Sequence, residues 1–499
     1  MMRLPRSIPI RTVAAAVIVL AAAGCSSGPS GSFKKKLNAH LGAQNYAGAL
    51  MDIDKAKEGQ YGKKNMVLYY LDRGTVLHHD GKFQESDAAF DAAENRMVEL
   101  YTKSVTKSAG MMVLNDGTVD YAGEPFERAL TNVYRAFNWL FQDKLDEALV
   151  EVRKAGLFLE ELNGMLEGKA KYKDDAFAQY LSALLYADAG KMDDARISME
   201  RAMNAYGWYQ SDFGVAAPKF DFPKADKKEK RGELVFVHFN GVAPIKISKT
   251  FQVAWGNALA IAKENNTEDD SAKFNNALRA GITGNAITVS YPEYQPQPFL
   301  TKASEVSVDG GAAEPTLLVE DVGAIAAKTL QDRMAIIKTR AIARATIKFI
   351  IAKAAAKAAS KACDQIGNAF GKIACKVAAQ AIAQGAAAAS EFADTRCWGT
   401  LPSEIRMARL KLPVGKHSVA VTFKNASGGV TGTKTFEVDI KDGKRVYLSH
   451  RTSDALEPTP KGGRPASVGV KASAGTSVDT GVGVKVKAEV KTEYKSEKK

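Results

Sequence analysis

Residues that carry thiol, imidazole and metal chemistry are scarce in this sequence, with four Cys and six His among 499 positions. No C-x-x-C or H-x-x-x-H pair occurs, so the usual zinc spacings are missing, and neither a metal nor a cofactor is expected. H-E-x-x-H, the P-loop and G-x-G-x-x-G are absent as well, which leaves no metalloprotease, nucleotide or dinucleotide signature. His78 and His79 are adjacent on a helical stretch, so they point about 100° apart and do not chelate together. Long uncharged apolar runs are missing beyond the N-terminus, which excludes a polytopic membrane protein. A content of 45% hydrophobic and 25% charged residues excludes wholesale disorder. The length suits two to four domains at about 100–200 residues each.

What is present begins with an address. Arg3, Arg6 and Arg11 precede an apolar stretch from Thr12 to Ala23, too short to span a bilayer, and small residues follow. That is the layout of a secretory signal peptide over residues 1–24. Ala22-Ala23-Gly24-Cys25 resembles a bacterial lipobox, with Ala22 where the pattern prefers Leu. The resemblance implies that the Cys25 thiol takes a diacylglyceryl group and that everything before it is removed. A Ser/Gly/Pro linker, 25–32, follows. Two or three acyl chains anchor stably where one holds only marginally. Ser26 stands where an Asp would resemble the inner-membrane retention signal. This implies an outer-membrane protein facing the periplasm, with the membrane as partner through lipidated Cys25. Gly24 to Gly28 also matches G-x-S-x-G formally, but no strand and helix frame it as a nucleophile elbow requires.

Cys363, Cys375 and Cys397 remain in the mature chain, and export permits one disulfide among them. Cys363 and Cys375 are the candidate pair. On a straight helix their spacing is about 18 Å of rise, far beyond disulfide reach, so they pair only if the chain turns back. Gly367 and Gly371 between them allow that.

Four stretches share one spacing of large, small, large and Ala residues. They are Tyr46, Ala49, Ile53, Ala56; Phe83, Ser86, Phe90, Ala93; Leu145, Ala148, Val152, Ala155; and Met192, Ala195, Met199, Ala202. The spacing puts small residues where helices cross and large ones in the holes between. It resembles tetratricopeptide repeats, best in the second copy, and copies one and two lie 37 residues apart. The resemblance implies a helical repeat domain over 33–212. Its concave groove would be lined by Leu68, Leu71, His78, Phe137, Leu140 and Tyr180. So apolar a groove is unusual on a monomer. Either a partner protein fills it or the chain's own C-terminal half does. Within the insertion from Met111 to Arg128, Glu124 and Glu127 fall in the first turn of the next helix. Carboxylates there suit the helix dipole; an acid/base pair is the competing reading.

Residues 213–322 read as a charged linker followed by strands. Leu234 to Phe239 forms a buried strand ending at Asn240-Gly241, Ala286 to Tyr291 a second stopped by Pro292, and Thr316 to Val319 a short third. Residues 323–393 are Ala-rich with Ile, Lys and Arg at helical spacing, a long helix or helical hairpin. Its apolar stripe either packs into the protein or lies on an anionic membrane surface. Over 394–455 the alternation of Val419, Val421, Phe423, then Phe436, Val438, Ile440, then Val446, Leu448 predicts an antiparallel, sandwich-like β-unit, with turns at Gly428-Gly429 and Asp442-Gly443. Arg396 and Trp398 are a candidate cation–π or packing pair. Residues 456–499 form a basic low-complexity tail. The fold class is α+β.

Several stretches together resemble a family of uncharacterised bacterial outer-membrane lipoproteins with tetratricopeptide repeats. They are Tyr121–Arg128 (YAGEPFER), Gly232–Lys246 with GVAPIK at its end, Val289–Tyr294 (VSYPEY), Asp394–Pro402 (DTRCWGTLP) and Leu412–His417 (LPVGKH). The resemblance spans nearly the whole mature chain, except that the Ala-rich helix and the tail are longer. It implies a non-enzymatic scaffold or assembly factor of the cell envelope that binds protein partners through its helical repeats. The alternative is an activator of, or an enzyme in, peptidoglycan or outer-membrane biogenesis, which predicts a polar cleft with clustered carboxylates.

The net charge of +13 invites a nucleic-acid reading until it is located. The leader carries +3. Residues 323–393 hold 11 basic and 3 acidic residues, +8, and residues 461–499 hold 9 and 4, +5. Thirteen less these 16 leaves −3 for the rest. The basic character belongs to one helical segment and one tail, and export argues against nucleic acid as a partner.

Overall fold

A computed structural model describes residues 28–107, 119–165, 172–219, 230–264, 286–377, 379 and 392–456. The leader, Cys25, the Asn115-Gly117 turn, most of the 218–231 linker and the tail from 457 lie outside the described residues. The architecture is α+β.

Helices come first, in four pairs: α1 (Gly31–Gly42) with α2 (Tyr46–Ala56), α3 (Met66–His79) with α4 (Phe83–Lys107), α5 (Pro125–Leu140) with α6 (Leu145–Met165), and α7 (Ala176–Asp188) with α8 (Met192–Asp212). Helix α1 already begins inside the stretch expected to be linker. Side-chain caps start several of them. The Ser30 hydroxyl accepts from Phe33 N at 3.2 Å, Asn45 Oδ1 from Gly48 N at 3.0 Å, and Asp175 Oδ1 from Ala178 N at 2.7 Å.

The turn inside every pair is built the same way. Gln44, Gly81, Asp143 and Gly190 each sit two residues before the second helix with φ between 53° and 75°. The residue after each then donates its N–H five positions back, Asn45 to His40, Lys82 to Leu77, Lys144 to Trp139 and Lys191 to Tyr186, at 2.8–2.9 Å. This closes the open carbonyls at the end of the first helix. The four stretches of shared spacing are the second helices, and their small residues Ala49, Ser86, Ala148 and Ala195 are buried. Ser86 donates to the Gly74 carbonyl at 2.8 Å, and a Cβ on Gly74 would meet the Phe90 ring at 2.7 Å. The close crossing therefore needs the small residue.

The strands are β1 (Arg231–Asn240), β2 (Ile245–Ala254), β3 (Ala286–Gln295), β4 (Ala303–Val308), β5 (Glu314–Pro315), β6 (Leu317–Glu320), β7 (Glu404–Pro413), β8 (Gly415–Lys424), β9 (Val430–Ile440) and β10 (Arg445–Thr452). One sheet has the order β10-β1-β7-β6, a second β5-β4-β8-β9, and β2 pairs with β3 alone. Strand β1 is the hinge of the core. Its Leu234 and Phe236 meet Val306, Val419, Val421 and Phe423 of the second sheet, while Val235, Val237 and Phe239 join the helical core. Two buried faces explain why its sequence is a continuous apolar run rather than an alternation. The result is three layers, helices on one sheet and that sheet on the next.

Three sequence expectations need correction. Pro292 does not end its strand; β3 runs on to Gln295 with Pro292 opposite Ser248, as a two-stranded ribbon leaves room for a residue without an N–H. The β-unit is not purely antiparallel, because β10 lies parallel to β1. The Asp442-Gly443 turn accordingly makes no hairpin but carries the chain from the second sheet to the first.

The Ala-rich segment forms α10 (Val322–Asp332) and α11 (Met334–Cys363), which meet at Arg333. Ala341, Ile342 and Ala345 of α11 pack on Ala258 of α9 (Trp255–Glu264) and on Ile287 and Val289 of β3. Beyond α11 the chain turns back, and Cys363 is bonded to Cys375 with their Cα atoms 5.7 Å apart. Cys397 is a buried free thiol.

Candidate functional site

The concave face of the helical region is closed by the chain itself. Of the six groove residues, Leu68, Leu71, His78, Phe137 and Tyr180 are buried and only Leu140 is half-buried. They do not form an open partner groove, and the Ala-rich helix is not what fills it. Phe239 of β1 lies against His78, Tyr134 and Phe137, with ring centroids 5.1–5.8 Å apart. Tyr180 receives Arg409 of β7, whose Nη1 donates to the Tyr180 hydroxyl at 2.6 Å. The extended segment 392–400 also lies against the helices, where it inserts the indole of Trp398, 1% exposed, beside Phe90 and Tyr134.

The insertion is held by polar atoms that are themselves buried. Trp398 Nε1 donates to the hydroxyls of Thr75 and Thr400, each at 3.0 Å, and the Trp398 N–H donates to Glu127 Oε1 at 2.7 Å. Thr400 and Tyr61 donate to the two oxygens of Asp72 at 2.8 and 2.7 Å. Arg396 is fully enclosed. It donates to Asp394 Oδ1 and Oδ2 at 2.9 and 2.7 Å, to Asn65 Oδ1 at 3.2 Å and to the Val119 carbonyl at 2.7 Å. Its guanidinium lies 5.2 Å from the Tyr121 ring, so its aromatic partner is Tyr121 and not the expected Trp398. Lys34 Nζ of α1 reaches Cys397 Sγ at 3.3 Å.

One step away lies an ionic junction. Glu124, at the start of α5, pairs with Lys246 of β2 and with Arg333 between α10 and α11. Glu127 accepts from Glu124 N at 3.0 Å, which gives the capping role expected of it, and from the Tyr121 hydroxyl at 2.5 Å. Burial disfavours the Glu124 carboxylate, but the Arg333 and Lys246 charges outweigh it and hold its pKa down at about 2. Burial and the neighbouring Glu124 charge push Glu127 up. Burial works against the Lys246 ammonium, yet the Glu124 charge keeps its pKa raised. Burial lifts Asp72 to about 6 against the hydrogen bonds from Tyr61 and Thr400. Lys246 Nζ also lies 5.4 Å from the Tyr294 ring, whose hydroxyl has no hydrogen-bond partner among the described residues.

Sequence spacing brought none of these groups together, because Trp398 and Glu127 are 271 residues apart and Lys246 and Glu124 are 122 apart. Four of the short stretches singled out above nevertheless converge here: Tyr121, Glu124 and Glu127 from the first, Lys246 from the second, Tyr294 from the third, and Asp394, Arg396, Cys397, Trp398 and Thr400 from the fourth. Lys34, Tyr61, Asp72 and Arg333 carried no local signal. His417 belongs elsewhere, in β8, where it meets Asp309 at 2.7 Å and the Pro413 carbonyl at 2.9 Å.

Among the described residues, an open cleft of about 420 Å³ is lined by Asp54, Lys57, Tyr69, Tyr70, Arg73 and Glu85. Asp54 is engaged within it: the Tyr69 hydroxyl donates to Asp54 at 2.8 Å and Arg73 lies 3.4 Å from the same carboxylate. No group of three or more His, Cys, Asp or Glu among the described residues is placed to hold a metal ion. No family model matches the chain, and no curated protein matches it.

Proposed function

We propose that the chain is a non-enzymatic, lipid-anchored scaffold or assembly factor of the bacterial cell envelope, held at the outer membrane through Cys25 and facing the periplasm. In this reading it belongs with the lipoproteins carrying tetratricopeptide repeats. The four helix pairs are the repeats, and the two facing sheets are a β-sandwich closing their inner side. The common turn of the four pairs supports the first assignment. The core shared by both sheets supports the second.

The observation that carries the scaffold reading is where the helical region exposes apolar side chains. Met51 on α2, Val98 on α4, Val150 and Leu157 on α6, and Met192 and Ile197 on α8 are exposed, all on second helices. The first helices α3, α5 and α7 are almost wholly buried against the sheets. A partner therefore meets the outer helices rather than the filled groove. The carboxylates of Asp72, Glu124, Glu127 and Asp394 are enclosed and engaged by partners of their own, which argues against the peptidoglycan enzyme. Two measurements test the reading together. Outer-membrane fractionation of intact cells should find the protein there and lose it on Cys25→Ala. A photo-crosslinker at Leu157 or Ile197, with the anchor retained, should trap one defined envelope protein. Soluble behaviour of the unmutated protein sinks the anchor, and silence at both outer positions sinks the scaffold.

A further inference from the structure

Past its packed stretch, the Ala-rich segment ends in a cationic tip. Cys363 closes α11 and is bonded to Cys375 on a helical stretch that runs back from residue 369. Asn368 Oδ1 caps that stretch by accepting from Gly371 N. On it Phe370 is 81% exposed, Ile373 65% and Val377 62%; no other large apolar side chain among the described residues is as exposed as Phe370. At about 100° per residue these three fall within about 60° of arc, and Cys375 points about 170° away from their centre. The disulfide thus holds α11 behind the returning helix, so the apolar face looks out from the protein.

The charge of the tip is mostly of one sign, and Lys372 and Lys376 share the returning helix with the apolar face. Between residues 353 and 377 there are five lysines, Lys353, Lys357, Lys361, Lys372 and Lys376, against the single acid Asp364, which Lys376 meets at 2.5 Å. Apolar side chains on one side of a helix with lysines around them match the acyl boundary and headgroups of an anionic bilayer, which such a helix enters without spanning. No helix among the described residues is long and apolar enough to cross a membrane. We propose that this stapled tip seats Phe370, Ile373 and Val377 in the surface of an anionic lipid bilayer, a contact separate from the acyl group at Cys25. A second copy of the tip would set like charges against each other, and an acidic protein surface with an apolar groove is the competing occupant, which a failure to bind anionic vesicles would favour.

The test uses the chain from Ser26, purified without acylation, so that its outcome does not depend on the anchor. It is floated with vesicles of phosphatidylcholine alone and of phosphatidylcholine mixed with phosphatidylglycerol. Binding is expected on the anionic vesicles and should weaken about a hundredfold in Phe370→Ser/Ile373→Ser, because two large side chains no longer leave water. The basic residues of 461–499 are common to both proteins, and their contribution is screened by salt while that of the apolar face is not. A Phe370→Trp reporter should shift its emission to the blue on anionic vesicles, and reducing the disulfide should diminish the shift. Both serines replace side chains that face solvent, so an unchanged circular dichroism spectrum certifies the fold. Equal vesicle binding by the double variant overturns the proposal, as does a failure of the unsubstituted chain to bind. A lipid-free dimer that the double variant dissociates overturns it too, by showing that a second copy covers the face.

Discussion

Replacing Trp398 with Ala tests whether helices and sheets form one cooperative body. The indole is enclosed between Phe90 and Tyr134, and removing a buried Trp side chain typically costs about 3–5 kcal/mol through lost transfer energy and the cavity left behind. The loss should not climb above that range, because no polar atom is stranded. Thr75 still donates to the Leu71 carbonyl, Thr400 still donates to Asp72, and Glu127 still accepts from the residue 398 backbone. Trp398→Phe keeps most of the apolar volume and loses only the two Nε1 bonds, so it should cost about 1–2 kcal/mol. Urea unfolding read by far-ultraviolet circular dichroism follows the helices, and near-ultraviolet signals follow the aromatic core that Phe239 shares with them. Because Trp398, Phe239 and the helical side chains belong to one core, both signals should shift together to lower urea. A loss below about 1 kcal/mol for Trp398→Ala, or a shift confined to one signal, would refute the idea that this residue locks the layers.

Three further outcomes follow from the same contacts. Glu124→Gln leaves Lys246 buried with its counter-charge gone and should destabilise by about 3–5 kcal/mol in urea titration, with Lys246→Met in the same chain recovering much of the loss. Glu320 of β6 is enclosed, and neither carboxylate oxygen accepts a hydrogen bond among the described residues, although the Tyr209 hydroxyl is near. Burial, with the Asp175 charge second, holds its pKa well above the ordinary value. The folded state therefore keeps a proton that the unfolded chain releases, so stability is full below about pH 4 and falls as pH rises toward the folded pKa. Glu320→Gln should flatten that fall and raise Tm at neutral pH; an unchanged Tm–pH curve would contradict it. Reducing Cys363–Cys375 opens a short loop at the tip, far from the core. Trypsin should then cut at Lys372 or Lys376 well before the urea midpoint of the whole protein moves.

The helix pairs were legible because their signal is local. The large–small–large–Ala spacing marks the face a helix turns to its neighbour, and Gly81 and Gly190 mark where the chain must take a positive φ. Gln44 and Asp143 do the same work without glycine, which hid two of the four turns. Strand β1 was legible as buried, but not that its two faces serve different layers, since an apolar run says nothing about what lies on either side. The parallel pairing of β10 was hidden for a related reason: the Asp442-Gly443 turn has hairpin chemistry, and only the competition of β1 for the edge redirects the chain. The Arg396–Trp398 pair failed because Asp394 and Tyr121 claim the guanidinium first.

The junction itself left a trace that spacing could not decode. Tyr, Glu, Arg, Cys and Trp crowd into Tyr121–Arg128 and Asp394–Thr400 without the period of a solvated helix face. Such side chains, once buried, must find partners, and here they find one another across the layers. Buried ion pairs are a poor source of net stability, since desolvation offsets most of the attraction. Their effect is instead to penalise every arrangement in which one partner is missing. Glu124 touches β2 through Lys246 and the α10–α11 boundary through Arg333, while its neighbour Glu127 holds the Trp398 backbone. A slip of any of these elements would strand a charge or an N–H in the core. The helical array, the hairpin that carries α11 and the segment filling the groove are thereby held in one register, with apolar side chains of the outer helices and of the cationic tip left exposed.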